Sequence, residues 1–222
     1  MNPESSALVL DAVEARAIGA LVEKAVTTPD YYPLSLNALV NACNQTNNRD
    51  PVTAHEQAMV LRALESLRDK KLVFVFEGAA NRVTKYGHKF AETLGLTGPE
   101  VAVLCVLLLR GPQTVGEIRG RTGRLHEFAA LGEVESTLQA LAARTPQPLV
   151  ARLPRQSGFK ESRYAHLLSG PPAAALAEAP PSEPAVAAEG DRLSRLEQEV
   201  ADLRRKLSDL QAQLAELRQP PG

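Results

Sequence analysis

"LDAVEARAIGALVEKA" (Leu10–Ala25) and "TGPEVAVLCVLLLR" (Thr97–Arg110) are two starts of the same kind, and the fold follows from reading them together. In the first, Asp11 is a helix cap, and Glu14, three residues on, closes a capping box. Val13, Ala17, Leu21 and Ala25 recur at the spacing of one helix face. In the second, Thr97 and Glu100 make the same box, with Pro99 in the first turn where a missing N–H is harmless. Each start is followed by a short helical segment, a longer amphipathic one and two strand-like runs. In the first copy these are "LSLNALVNACN", "AHEQAMVLRALESLRDKK" and "LVFVFEGAANRVTKY". In the second they are "TVGEIRGRT", "LGEVESTLQALAAR" and "LVARLPRQSGFKESRYAHL". Polar loops containing glycine part the strand runs, as hairpins require.

Three helices followed by a two-stranded hairpin is the order of a winged helix-turn-helix. Its recurrence predicts a mainly α fold with small β-hairpins, built as two tandem domains over residues 8–95 and 96–169. "YGHKFAETLG" (Tyr86–Gly95) reads as the helical connector between them. From Glu14 to Leu64 is 50 residues and from Glu100 to Leu138 is 38, so the first copy carries 12 extra residues around its second helix.

Beyond the repeat the composition changes twice. Residues 170–190 are rich in proline and alanine and hold no aromatic residue, which predicts a flexible linker without a core. Over residues 191–219, Leu193, Leu196, Val200, Leu203, Leu207, Leu210, Leu214 and Leu217 alternate spacings of three and four. That is a heptad seam, and it predicts a coiled coil that makes the protein a homodimer. With Leu193 at a, Arg192 with Glu197 and Glu199 with Arg204 attract across a parallel pair. The other reading of this segment is an amphipathic helix folding back on its own globular part.

Net charge is −1, so no whole-protein positive field recruits nucleic acid or membrane. The two cysteines, Cys43 and Cys105, sit in apolar helical patterns, without the Cys/His clusters that structural metal needs. No metal and no cofactor is expected. The first residues lack the basic start and apolar run of a secretory signal, and "VAVLCVLLL" is too short to span a bilayer. A cytoplasmic protein without a membrane partner is the expectation.

The least ordinary segment is "TTPDYYPLSLNALVNACNQTNNRDPV" (Thr27–Val52), with His55 just after it. Asp30, Tyr31, Tyr32, Cys43 and His55 are residue types that catalysis uses. Pro-Asp and Tyr-Pro are also turn dipeptides, and Cys43 falls on the face of Leu36, Leu39 and Val40. No Lys or Arg lies between Lys24 and Arg49 to activate a thiol, and HExxH, GxSxG and glycine-rich phosphate loops are absent from the chain. An enzyme is therefore the remote alternative. Asp30, Tyr31, Tyr32, Asn47, Asn48 and Arg49 are instead candidates for an interaction surface, with plain turn chemistry as the other account of the amides.

Long stretches of this chain resemble a known family. "TTPDYYPLSLNALVNACNQ" with "NRDPV", "VTKYGHKF" and "RTGRLHEFAALGEVESTL" are similar to the YceH-like family of uncharacterised bacterial proteins, over about residues 8–168. The resemblance implies two winged-helix domains, a cytoplasmic location and no established activity, and it supplies no catalytic residues. Ala130 departs from the family pattern, which tends to place a serine at the start of the second long helix.

In a winged helix-turn-helix the third helix enters the major groove and the hairpin touches backbone. In the first copy that helix is expected over Thr53–Lys70, with Val60, Leu61, Leu64 and Leu67 inward. Gln57 and Arg62 are the candidates to read bases, and Arg82 and Lys85 lie on the hairpin. Glu56, Glu65 and Asp69 oppose them. In the second copy Glu133 and Glu135 sit near the start of the long helix, and positive charge lies at Arg119, Arg121, Arg124, Arg155, Lys160 and Arg163. Residues 96–170 hold nine Lys/Arg against six Asp/Glu, enough for salt-sensitive backbone contact or for a surface of arginines paired with glutamates. The sequence thus predicts a non-enzymatic, transcriptional-regulator-like DNA-binding protein. The alternative is an adaptor that uses winged helices to bind protein.

Overall fold

The computed structural model describes residues 7–76, 83–155 and 161–171. The linker and the heptad segment, apart from the first residues of the linker, lie outside them, as do Arg82 and Lys160.

The first run of elements is α1 (Ala12–Thr27), a 3-10 turn (Pro29–Tyr31), β1 (Leu34–Ser35), α2 (Leu36–Cys43), α3 (Gln57–Asp69), β2 (Val73–Phe76) and β3 (Lys85–His88). A short helix, α4 (Phe90–Leu94), leads to the second run. That run is α5 (Gly98–Arg110), α6 (Val115–Thr122), α7 (Leu131–Ala142), β4 (Val150–Arg152) and β5 (Tyr164–His166). The described part is mainly helical with small antiparallel sheets.

Local chemistry sets the helix starts. Asp11 accepts the Glu14 amide at 2.8 Å, and Glu14 accepts the Asp11 amide at 2.7 Å. Glu100 accepts the Thr97 amide at 2.8 Å, and Thr114 with Glu117 repeats the box at α6. The third helices lack this device: neither Glu56 nor Ala130 caps with its side chain. At α7 the Glu133 carboxylate reaches back to the Ala129 amide at 2.9 Å and satisfies one orphan donor.

Both runs end in a hairpin to which a third segment is added. Val73 pairs with His88 and Phe76 with Lys85, while Leu34 and Ser35 pair with Tyr86 and Lys85 on the other edge of β3. In the second run Val150 pairs with His166, and Gln113 bridges the far edge of Tyr164. In each case the pairing residues immediately precede the second helix.

Three expectations need correction. The connector helix is only Phe90–Leu94, because Tyr86, Gly87 and His88 are taken by the β3 ladder. The third helix starts at Gln57 and not at Thr53, and it buries Ala63 in place of Leu61, which stays 36% exposed. Helix α1 is not amphipathic with one inward stripe: every residue from Glu14 to Glu23 is buried, while Val13 and Ala25 are only half-buried. The reason is position. α1 packs on α2 and α3 of its own run and on α5 of the next.

That packing joins the runs. Gly19 lies where α1 meets α5, and a Cβ there would stand 2.9 Å from Leu109 Cδ2. One contiguous apolar cluster takes in Ile18, Leu21, Leu64 and Leu67 with Leu104, Leu107, Ile118 and Leu138. Main-chain ties add to it: the Asp50 amide donates to Leu109 O at 3.0 Å and Leu10 to Leu168 O at 2.6 Å. Gln147 bonds both main-chain groups of Leu8.

Candidate nucleic-acid interface and partner surface

On α3, Val60, Ala63, Leu64 and Leu67 face the core, which turns Gln57, Arg62, Glu65 and Asp69 to solvent. Arg62 and Glu65 are one turn apart, so the face alternates in sign and does not form a basic stripe. Lys85 is half-buried at the hairpin end, paired with both Ser35 and Phe76.

The arginines of the second run are divided. Arg119 donates to the carbonyls of Phe128 and Ala129 at 3.2 and 2.8 Å, which fastens the turn from α6 to α7. Arg163 is 2.9 Å from the Glu117 carboxylate and donates to Pro112 O at 2.9 Å. Arg121 reaches the same carboxylate at 3.8 Å. Partial burial pushes Glu117 up, but the Thr114 amide and the two arginines outweigh it and hold the carboxyl below its ordinary range. Arg124, Arg152 and Arg155 are exposed. On α7, Val134, Leu138 and Leu141 are buried, and the solvent side shows Glu133, Glu135, Gln139 and a Leu131 that is 48% exposed. A groove of about 570 Å³ separates that side from the hairpin, lined by Leu131, Glu135, Gln139, Arg152 and Arg155 among others.

The segment between Thr27 and His55 resolves into a brace and an exposed tip. Asn44 accepts the His55 amide at 2.8 Å and donates to its carbonyl at 2.9 Å, closing the loop that follows α2. Arg49 does not belong to an interaction surface, because its side chain is fully buried. It donates to Glu23 at 2.7 and 3.2 Å and to Ala42 O at 2.8 and 3.1 Å. Such a charge is tolerated inside only when it is paired and hydrogen-bonded throughout. Tyr32 is also committed inward. Its hydroxyl accepts the His88 amide at 2.5 Å, its ring meets His88 edge-on, and burial pushes the phenol up to about 12. Asp30, Asn47 and Asn48 are exposed, Tyr31 is 77% exposed, and Asn48 sits in the left-handed region at φ 60°.

The Cys43 thiol is sealed in the core and pushed up to about 12 by burial, although Arg49 and Arg16 approach it. Those two arginines come from α1 and the loop, which the sequence gap around Cys43 could not reveal. Among the described residues no group of His, Cys, Asp and Glu is placed to hold a metal, and no helix is long and apolar enough to cross a membrane.

The fold and these surfaces define a class: a mainly helical protein of two like runs, each of three helices and a small antiparallel sheet. The family described as "Protein of unknown function, DUF480" matches residues 10–159. A "UPF0502 protein" of Opitutus terrae is 60% identical over 88% of this chain and 84% of its own length. Another, of Geotalea uraniireducens, is 53% identical over 92% of this chain and 97% of its own. A third, of Vibrio parahaemolyticus, is 48% identical over 94% and 97%. The chain belongs to this DUF480/UPF0502 family of uncharacterised bacterial proteins, in agreement with the resemblance carried by its motifs.

Proposed function

We propose that this chain is a tandem winged helix-turn-helix protein of regulator type, non-enzymatic and cytoplasmic, that contacts DNA through its first run. What supports the winged reading is the segment added to each hairpin just before the second helix, Leu34–Ser35 in one run and Gln113 in the other. What supports DNA is the solvent face of α3, where Gln57 and Arg62 are exposed beside a hairpin that carries Lys85. Glutamine and arginine are the side chains suited to adenine and guanine edges in the major groove. The heptad segment at 191–219 would pair two copies and so two α3 helices.

The test is retardation of genomic DNA fragments by the full-length protein at several salt concentrations. Binding should weaken steeply with salt. Gln57→Ala with Arg62→Ala should reduce sequence preference, and Arg155→Gln with Lys160→Gln should flatten the salt slope if the second hairpin also meets phosphate. No retardation at low salt would sink the DNA reading. Cutting the chain after Gly170 should lower the mass measured by light scattering if the heptads dimerise it.

A second reading has its own observation. The α7 face combines a half-exposed Leu131 with Glu133 and Glu135, a surface that repels phosphate and suits a protein partner. The second run would then be the adaptor side of the same molecule.

A further inference from the structure

Arg119 and Arg121 stand two positions apart on α6, so they point to nearly opposite sides of that helix. Arg119 serves the turn to α7. Arg121, with Arg124 just beyond the helix, faces back toward α1 and α5 and lines a cleft of about 290 Å³ between the two runs. Arg110, at the end of α5, lines it from the other side, and Asn48 of the braced loop accepts a hydrogen bond from the Arg110 guanidinium.

The charge balance of this cleft is one-sided. Its lining carboxylate is Glu23, which is already met by Arg49 at 2.7 Å and Lys24 at 3.6 Å. Glu117 touches Arg121 at 3.8 Å from outside the lining and shares itself with Arg163. Asp50 is exposed nearby on the loop. Burial pulls Arg110 below its ordinary value, and Arg121 and Arg49 add to that, against weaker opposition from Glu23 and Asp50. A half-buried Arg110 thus shares the recess with exposed Arg121 and Arg124, and Glu23 and Glu117 are both divided with other cations, so an anion placed between the three guanidiniums would be attracted by all of them.

We propose that the arginine cleft between the runs binds a phosphate group through Arg110, Arg121 and Arg124. Guanidinium forks match the tetrahedral oxygens of phosphate and bond them two at a time. A recess of this size admits a phosphate with a small substituent and falls at the lower end of ligand pockets. The site assigns Arg121 and Arg124 to this cleft and not to the α7 side. It stands apart from the DNA reading, which rests on Gln57 and Arg62.

The experiment is calorimetric titration of the full-length protein with inorganic phosphate and with adenosine 5′-monophosphate, at constant ionic strength set by chloride. Saturable binding of either is expected, with adenosine silent. Arg121→Gln with Arg124→Gln should weaken binding by about tenfold or more, while changing the exposed Lys89 by Lys89→Gln leaves it unchanged. If that pair perturbs folding, Arg121→Lys with Arg124→Lys keeps the charge, loses the fork and should still weaken binding. Failure of both probes to bind saturably, or equal binding by the variants, would overturn the proposal. A duplex lacking terminal phosphates supplies the second arm. Displacement of bound phosphate by the duplex makes the source a nucleic-acid backbone, and no displacement makes it a free phosphorylated molecule. Retardation lost only on changing Gln57 and Arg62 reports on the DNA reading alone.

Discussion

The two runs begin alike and are braced differently. Both first helices start on capping boxes and both third helices start without a side-chain cap. The extra length of the first run goes into a 16-residue α1 against a 13-residue α5, the 3-10 turn before β1, and the loop Asn44–Glu56 where the second run has Gly123–Ala130. That added chain brings Arg49 into the interior to meet Glu23. In the second run the comparable organising carboxylate, Glu117, stays partly exposed and holds Arg163 and Arg121 at the surface. One run is locked by a buried ion pair and the other by a wet one.

The contrast breaks most readily at those pairs. Arg49→Met removes the direct, hydrogen-bonded partner of a buried Glu23 and leaves it Lys24 at 3.6 Å, and should cost about 3 kcal/mol or more in urea unfolding. Arg163→Met should cost about 1 kcal/mol or less, because its pair is solvated. Equal losses would erase the distinction.

Next comes pH. His166, with its Nδ1 sealed from solvent and unpartnered among the described residues, is driven down to about 4 by burial. The unfolded chain takes up that proton first, so the stability it represents is intact above about pH 6.5 and drains away as pH falls toward about 4. His166→Asn should remove on the order of 2 kcal/mol of that decline, measured as unfolding free energy against pH. His88, also lowered by burial, leaves a residual slope of the same sign in the first run.

A smaller effect belongs to the seam. Gly19→Ala presses a methyl onto Leu109 and Leu108 and should lower stability by about 1–2 kcal/mol while the unfolding transition remains single. Two separate transitions would show that the runs are independent. Smallest of all, Ala130→Ser gives α7 the cap it lacks and should add about 0.5–1 kcal/mol.

What the sequence displayed depended on distance along the chain. Asp11 with Glu14 and Thr97 with Glu100 lie within one turn, so the helix starts were legible, and so was the order of elements. Leu34–Ser35 and Gln113 were not legible as strand partners, because segments so short become extended only by pairing with a hairpin that follows much later. Arg49 sat among exposed amides and read as surface, since Glu23 is far upstream on another helix. The sequence placed Arg119, Arg121 and Arg124 together, but the helix turns the first away from the second. Arg110 joins the cleft from a different helix, which no local pattern announces.

The ties at Leu8 and Leu10 carry a consequence for biosynthesis. Their main-chain groups are met by Gln147 and Leu168, residues of the second run that are made well over a hundred residues later. Leu8 and Leu10 therefore stay bonded to water until the second run has been made. A nascent chain halted after the first hairpin should expose the α5 side of α1 and be cleaved readily by protease, and completing synthesis through Leu168 should close it.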